Sequence, residues 1–348
     1  TRYSNTTACN CYETRRKQVN LFVVDMDRNQ TTDFVNRIGT LTIAENDKIQ
    51  LADFDGDGIP DIWHFSDKKV EIYTIDSGKR LTELLSYEYP YIKLALPQLI
   101  GDYNGDGKAD LLLPHGVGKN DWRLLLSTGK SIVSKGLFST PVKFSITTSE
   151  KQEFTFFPQD VDGNGRTDLV VHNQRDLQVT QYNSKSEATL KVFSLNSSSD
   201  GLWSMNLMHD YPYDIGSQYT REWGTTLGVS RNVNTQQNTF YYIVKDQVFQ
   251  HKFELNNQDE VLLRSVSHKG LLQNIHYQHL RSVGESIYRK DESQVYPYIN
   301  INTALGLQLV EKVTASANGQ LASQKFQYGG AVSHAGGLGF LGFMTTAR

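Results

Sequence analysis

The sequence has few cysteines and no long apolar run. Cys9 and Cys11 are its only two, too few thiols for a disulfide framework or a four-ligand zinc site. No apolar stretch approaches the roughly 18 residues that a membrane-spanning helix needs. No basic segment followed by an apolar one opens the chain, so any export signal has been removed or lies outside this sequence. We therefore expect no membrane span, and we interpret residues 1–20 as a leader.

Common catalytic motifs are also missing. The sequence has no Gly-x-Ser-x-Gly, no His-Glu-x-x-His and no phosphate-binding loop. Its basic residues are dispersed without stacked aromatics between them, and the net charge is only −3, so nucleic acid is not an expected partner. His64, His115 and His172 follow three similar loops at equivalent places, which indicates architecture rather than catalysis. We expect a protein that is not an enzyme.

Aromatic residues are numerous in the sequence. It contains 18 Tyr and 16 Phe against 4 Met in 348 residues. Aromatic side chains suit a pleated, half-buried surface, so this composition favours β-strands. The length predicts one large repeat domain or two domains.

Short acidic segments recur along the first half. Asp53–Asp61, Asp102–Asp110 and Asp160–Asp168 align over nine positions, and Asp25–Asp33 keeps their acidic positions without their glycines. The starts of the four segments are separated by 28, 49 and 58 residues. The last two separations are close to the roughly 40–50 residues of a four-stranded propeller blade. The sequence therefore predicts a β-propeller, whose first blade is truncated or shares strands because the first separation is short.

The residue types in these loops predict calcium ligands. Calcium binds about six to eight oxygens at roughly 2.3–2.6 Å. Side chains at positions 1, 3, 5 and 9 and the carbonyl at position 7 converge on one point if the backbone curls, and Gly at position 6 permits that curl. We expect three sites, with a fourth loop that is weaker or empty. The predicted ligands are Asp53, Asp55, Asp57, Ile59 and Asp61; Asp102, Asn104, Asp106, Lys108 and Asp110; Asp160, Asp162, Asn164, Arg166 and Asp168; and, in the fourth loop, Asp25, Asp27, Asn29, Thr31 and Asp33.

An EF-hand is the alternative calcium site, and the sequence excludes it. An EF-hand needs a bidentate Glu at position 12 and flanking helices. Position 12 here is Asn36, His64, Leu113 or Val171. The segments after the three glycine-containing loops are strand-like, each broken by a polar turn and resumed as a second strand. The predicted turns are Ser66–Lys69, Gly116–Asp121 and Asn173–Asp176.

The loops resemble the FG-GAP (VCBS-type) calcium repeats of integrin-like propellers, over about residues 20–180. From about Gln181 the loops stop, although strand-like runs such as Thr239–Val244 continue. We therefore expect the propeller to span residues 21–255, with its last blades free of calcium.

A second resemblance covers most of residues 50–348, and the motifs that carry it lie mainly in residues 256–348. "Leu-x-Ser-Val" (263–266), "Val-Tyr-Pro" (295–297), "Phe-x-Tyr-Gly-Gly-Ala" (326–331) and "Gly-x-Gly-Phe-Leu-Gly-Phe" (337–343) follow one another in an order similar to the B component of Tc-type insecticidal toxin complexes and related SpvB/RHS (YD-repeat) proteins. In those proteins a propeller precedes a β-rich shell. The YD-repeat array that completes the shell is absent here, so the resemblance implies that the sequence is a fragment carrying the first strands of an RHS-type shell.

The resemblance implies a bacterial, secreted or cell-surface scaffold and gate. Such a scaffold docks a protein partner of a toxin complex and caps a shell that holds a separate effector. The alternative is a secreted, calcium-stabilised adhesin or glycan-binding module, and a propeller lyase or hydrolase is a third, less supported class. If residues 256–348 open a larger shell, Leu338, Phe340, Leu341 and Phe343 need partners. We expect Phe340 and Phe343 to be largely buried, against the propeller or a second copy of the chain.

Overall fold

The computed structural model describes residues 16–25, 34–76, 78–116, 119–144, 152–178, 184–217, 225–231, 238–244, 247–253, 262–280, 286–291, 293–295, 298–301, 307–334 and 339–348. Every regular element in these ranges is a β-strand, which confirms the all-β prediction. In the same ranges no helix is long and apolar enough to cross a membrane. Cys9 and Cys11 lie outside the described residues.

Two compact units make up the chain. Unit 1 comprises residues 1–52 and 60–98, and unit 2 comprises residues 53–59 and 99–348. The first acidic loop is therefore divided, because residues 53–59 belong to unit 2 and Pro60 and Asp61 to unit 1. The predicted domain limits at residues 20 and 255 stay a prediction.

Unit 1 contains an antiparallel hairpin and one four-stranded antiparallel sheet. The hairpin pairs β1 with β2, and the sheet has the order β3-β4-β5-β6. Its strands are β1 (Arg16–Asp25), β2 (Phe34–Ala44), β3 (Lys48–Ala52), β4 (Asp61–Ser66), β5 (Lys69–Ile75) and β6 (Leu81–Glu88). Trp63, Phe65 and Ile72 are fully buried, so β4 and β5 supply the core of this sheet. The predicted turn at Ser66–Lys69 lies between them.

Unit 2 begins with two sheets of the same kind, ordered β7-β8-β9-β10 and β11-β12-β13-β14. Consecutive strands pair antiparallel, which is the meander order of a propeller blade. The strands are β7 (Leu99–Gly101), β8 (Asp110–Pro114), β9 (Lys119–Ser127), β10 (Ile132–Phe144), β11 (Gln152–Gln159), β12 (Asp168–Gln178), β13 (Ser184–Ser197) and β14 (Trp203–Ser217). One hydrophobic cluster draws on both sheets, including Trp122, Leu112 and Phe193.

The predicted turn at Asn173–Asp176 is wrong. These residues lie inside β12, which pairs with β11 on one side and β13 on the other. Their polar composition resembles a turn, but hydrogen bonding to two neighbouring strands keeps the backbone extended. The strand β12 continues to Gln178, and the second strand expected after the turn is β13, which begins at Ser184.

A three-stranded sheet follows, ordered β15-β16-β17, with β15 (Thr225–Arg231), β16 (Asn238–Val244) and β17 (Gln247–Lys252). The strand predicted at Thr239–Val244 is confirmed by β16. Phe240, Tyr242 and Phe253 form a second buried cluster with Val170 of β12 and Val192 of β13. This sheet therefore continues the packed series although it follows no glycine-containing acidic loop.

The last described residues form two further sheets. Their orders are β18-β19-β22-β23 and β20-β24-β21, with β25 also pairing β24. The strands are β18 (Ser265–His268), β19 (Leu271–His279), β20 (Tyr288–Arg289), β21 (Tyr298–Asn300), β22 (Gln308–Ala317), β23 (Gln320–Lys325), β24 (Gln327–His334) and β25 (Gly339–Ala347). Leu280, Tyr288, Leu309 and Ala331 make a small core of their own.

The expected burial of Phe340 is wrong, since its side chain is 45% exposed. Phe343 is half-buried and contacts Tyr328, with the ring centroids 4.8 Å apart. Its partners thus lie in the same segment rather than in the propeller-type sheets. The physical reason is that β25 pairs only β24, so much of its surface faces solvent. Leu338 lies outside the described residues.

Candidate metal centre

Each glycine-containing loop joins the first two strands of a four-stranded sheet. The loops span residues 53–60, 102–109 and 160–167, and the aspartate at position 9 is the first residue of the strand that follows. The loop predicted at Asp25 is only partly described, because residues 26–33 and the Asp25 side chain are outside the described set. Its ligands stay a prediction. The second and third loops lie wholly in unit 2 and define the site best.

The first aspartate of each loop closes the turn by accepting hydrogen bonds from the backbone N–H groups of the two loop glycines. The N–H groups of Gly105 and Gly107 donate to Asp102 at 2.7 and 2.8 Å. The glycines at positions 4 and 6 donate to Asp160 at 2.6 and 3.0 Å in the third loop, and to Asp53 at 2.7 and 2.8 Å in the first. The three loops thus share one backbone conformation.

Positions 3 and 5 continue the pattern. Asp162 accepts from the N–H of Asn164 at 3.0 Å, and Asn164 Oδ1 accepts from the N–H of Arg166 at 2.9 Å. The second loop has the equivalent bonds at 3.0 Å each. The side chains at positions 1, 3 and 5 therefore fold back over the loop. This places their oxygen atoms together on the inner side of the loop.

Both glycines in each loop have a left-handed backbone. The φ angles of the two in the third loop, Gly163 and Gly165, are +82° and +79°. Side chains other than hydrogen are strained in this region. The predicted curl at position 6 is therefore present, and the same conformation occurs at position 4.

The aspartate at position 9 is buried in each loop. Tyr103 N–H donates to Asp110 at 3.0 Å, and Ser127 N–H donates to the other carboxylate oxygen at 2.8 Å. Burial raises the pKa of Asp110 to about 7. Burial, followed by the charge of Asp162, raises the pKa of Asp168 to about 8. An ionised carboxylate at position 9 is therefore costly unless a cation lies beside it.

The third loop brings three carboxylates together. One oxygen from each of Asp160, Asp162 and Asp168 lies within 4.8 Å of the others. Two oxygens that share a calcium ion at roughly 2.4 Å can be at most about 4.8 Å apart. Asp162, Asn164 and Asp168 are also buried. The donor set thus fits a hard cation in number, type and spacing.

Consecutive loops are joined by a repeated hydrogen bond. The N–H of Ala109, at position 8 of the second loop, donates to the carbonyl of Asp53 at 2.7 Å. The N–H of Thr167, at position 8 of the third loop, donates to the carbonyl of Asp102 at 2.6 Å. Position 1 of the first and second loops therefore offers its side chain to its own loop and its carbonyl to the following one.

The side chain at position 7 also contacts the preceding loop. A Cβ on Gly105 would lie 3.0 Å from Cγ of Arg166, and one on Gly56 would lie 3.1 Å from Cγ of Lys108. Gly at position 4 thus leaves room for the aliphatic part of the next loop's side chain. The sequence predicts only a carbonyl ligand at position 7, with a side chain that is free to vary.

Two further features escaped the sequence analysis. Position 2 is apolar or aromatic in every glycine-containing loop, and all three of these residues are buried: Phe54, Tyr103 and Val161. The recurrence of such a residue at position 2 is visible in the sequence. Asn238 of β16 donates from Nδ2 to the carbonyls of Asp160 and Val161 at 3.1 and 2.6 Å. It replaces the backbone donor that a following loop would supply, and no local pattern marks it.

Residues 53–113 and 102–171 match the family of FG-GAP-like repeats. The chain therefore contains such repeats over the three glycine-containing loops, as the resemblance predicts. None of the curated proteins matches the sequence.

Two solved structures show a distant likeness. A lectin from Agrocybe aegerita that recognises non-reducing terminal N-acetylglucosamine is 16% identical, with a TM-score of 0.30, over 56% of this chain and 65% of the lectin. The Photorhabdus luminescens Tc holotoxin pore is 14% identical, with a TM-score of 0.44, over 97% of this chain and 16% of that chain. Both scores are too low to assign a fold, and this chain spans less than two thirds of either match.

Proposed function

We propose that this chain is a non-enzymatic β scaffold whose aspartate loops bind calcium and thereby lock successive sheets together. The hydrogen bond repeated between loops carries the proposal. Because Asp102 contributes its carboxylate to one loop and its carbonyl to Thr167 of the next, a cation that fixes the Asp102 backbone also fixes the junction between two sheets.

The donor set supports calcium as the ion. Carboxylate and amide oxygens are hard ligands, and FG-GAP repeats commonly bind calcium. In the third loop Asp160, Asp162, Asn164 and Asp168 would supply side-chain oxygens, and Arg166 its carbonyl. The second loop would supply Asp102, Asn104, Asp106, Asp110 and the carbonyl of Lys108. The bound ion would offset the repulsion among clustered carboxylates, which burial makes stronger.

The described histidines give no support to a catalytic role. Both ring nitrogens of His64 are engaged, with Asp47 at 2.9 Å and Glu71 at 3.0 Å. His172 is fully buried against Phe240 and Tyr242. These contacts fit histidines that hold strands in place. The expectation of a protein without enzymatic activity therefore stays part of the proposal.

The finer proposal is that the scaffold is secreted and serves a bacterial toxin complex. It rests on the resemblance of most of residues 50–348 to the B component of Tc-type toxins and to SpvB/RHS proteins. In this role the propeller-type sheets would dock a protein partner and cap a shell that holds a separate effector. The edge strands β18 and β23 are exposed along their length, which fits a sheet that further strands extend.

Size-exclusion chromatography with the purified pore-forming component of a Tc toxin tests this role. We expect the chain to co-elute with that component in calcium and to separate from it after chelation. A folded, calcium-loaded chain that never co-elutes would contradict the docking role. If the same protein instead bound terminal glycans on a glycan array, the adhesin alternative would replace it.

A further inference from the structure

Two histidines from different sheets of unit 2 meet at their ring nitrogens. His209 lies in β14, the last strand of the third four-stranded sheet, and His251 lies in β17, the last strand of the three-stranded sheet. Their Nε2 atoms are 3.0 Å apart and form a hydrogen bond, in which the tautomer decides the donor, so a metal ion bound by both would take the place of the shared proton. Since neither strand pairs with the other, the imidazole contact directly joins the two sheets at this point.

Aromatic neighbours fix the orientation of both rings. Phe253 is buried and packs edge-on against His209 and His251, with centroid distances of 6.1 and 5.3 Å. The ring of Tyr211 lies 4.5 Å from that of His251, and its side chain is 46% exposed. Both histidines are themselves half-buried, so the pair is held from the protein side and partly exposed to solvent, as a small inorganic ligand requires.

We propose that His209 and His251 form a binding site for one late first-row divalent transition-metal ion, with water completing its coordination. Imidazole is a preferred ligand for nickel, copper and zinc, whereas calcium prefers oxygen. The site is thus chemically distinct from the aspartate loops.

The distance between the nitrogens favours nickel or copper. An ion about 2.0–2.1 Å from both Nε2 atoms would subtend an N–metal–N angle of roughly 90–100°. This angle suits adjacent positions of a square-planar or octahedral centre better than a tetrahedron. Asp210, next to His209 in sequence, pairs with Lys191 at 2.9 Å, so its carboxylate is engaged elsewhere and the two imidazoles are the principal ligands.

Calorimetric titration with Ni²⁺ tests the site in calcium-saturated protein that carries no histidine tag. We expect one equivalent to bind, and we expect His209→Gln and His251→Gln each to weaken binding about tenfold or more. The matched control is His276→Gln, which alters an exposed histidine of β19 and is expected to leave binding unchanged. With Cu²⁺, electron paramagnetic resonance should show coupling to two nitrogens that is lost in either variant.

Ni²⁺ should also raise the melting temperature of the wild type, because one ion connects two sheets, and should do so less in each variant. Two results would overturn the proposal. One is no Ni²⁺ binding by the folded wild-type protein. The other is binding of equal strength in the wild type and in both variants, since the ion would then be held by other residues.

Discussion

The sheets of β7–β14 and those of β18–β25 lie in the same unit but are built differently. In the first region β8 is buried along its whole length, and one hydrophobic cluster draws on two sheets. In the second, β18 and β23 are exposed along their length, and the core cluster contains four buried residues. Both clusters draw on two sheets, but the first contains twelve buried residues and the second only four. The first region therefore gains more of its stability from contacts between sheets.

The connections explain this difference. In the first region the link between the first and second strands is an aspartate loop that bonds to the next loop. In the second, β18 turns into β19 at Lys269–Gly270, and β22 into β23 at Asn318–Gly319, with positive φ at all four residues. Such two-residue turns fit a type I′ hairpin and contact only their own strands. Where tight turns replace the loops, side chains link the sheets instead, as where the Tyr328 hydroxyl of β24 donates to the carbonyl of Val310 in β22 at 3.0 Å.

Matched leucine substitutions should give the largest contrast between the two regions. Leu112→Ala removes a fully buried side chain of β8 and should cost about 2–5 kcal/mol of unfolding free energy. Leu321→Ala in β23 removes a side chain that is 83% exposed, and it should change the unfolding free energy by less than about 0.5 kcal/mol. Urea unfolding measures the change in unfolding free energy for each variant. Equal changes would show that the two regions do not differ in the packing of their strands.

Asn238→Ala should have the next largest effect. It leaves the buried carbonyl of Val161 and the half-buried carbonyl of Asp160 without the amide donor and should cost about 1–3 kcal/mol. The control is Asn206→Ala, at an exposed position of β14, with an expected change near zero. If chemical denaturation found the two variants equally stable, Asn238 would not act as the substitute for a following loop.

Gly105→Ala tests the packing of one loop on the next. Gly105 and Gly136 have φ angles of +78° and +83°, so alanine at either should cost about 1–2 kcal/mol of backbone strain. Only at Gly105 would the new Cβ meet a neighbour, Cγ of Arg166 at 3.0 Å, so that variant should be the less stable.

The added variant Arg166→Ala should remove this extra cost, as a double-mutant cycle would measure. If the two alanine variants lost the same unfolding free energy, and Arg166→Ala did not change that loss, the Arg166 side chain would not pack against Gly105.

A further expected effect is on pH dependence without calcium. The raised pKa values of Asp110 and Asp168, about 7 and about 8 against 3.8 in an ordinary aspartate, mean that the calcium-free fold binds protons that the unfolded chain has released. This stabilisation is present at low pH and is lost as the pH rises through the two folded-state values. His172, whose pKa burial lowers to about 4, acts in the opposite direction below about pH 6.5.

Denaturation midpoints of chelated protein should therefore fall between about pH 6.5 and 8.5. Asp168→Asn should reduce the fall, and saturating calcium should abolish it. A midpoint that rises over this pH range would contradict the raised pKa values of Asp110 and Asp168.

The sequence predicted the local part of this structure. The three loops, their two glycines and the strands that follow depend on residues within about ten positions of one another, so their spacing carries the information. The turn placed at Asn173–Asp176 failed because pairing on both sides of β12 overrides the preference of polar residues for turns.

The connections between loops were beyond sequence reasoning. Asn238 lies 78 residues from Asp160, and the bonds from Ala109 and Thr167 come from backbone groups that any residue but proline supplies. The burial expected for Phe340 failed for a related reason. A run of Gly, Leu and Phe does not reveal whether its strand lies at the centre or the edge of a sheet.

Calcium binding itself tests the account most directly. Chelated protein would be titrated calorimetrically with Ca²⁺, with Mg²⁺ as the competing ion and Asp168→Asn as the matched variant. The account predicts one equivalent of calcium for each glycine-containing loop, much weaker magnesium binding, and the loss of one equivalent in Asp168→Asn while the others remain. Folded protein that binds no calcium, or an Asp168→Asn variant that binds as many equivalents as the wild type, would contradict it.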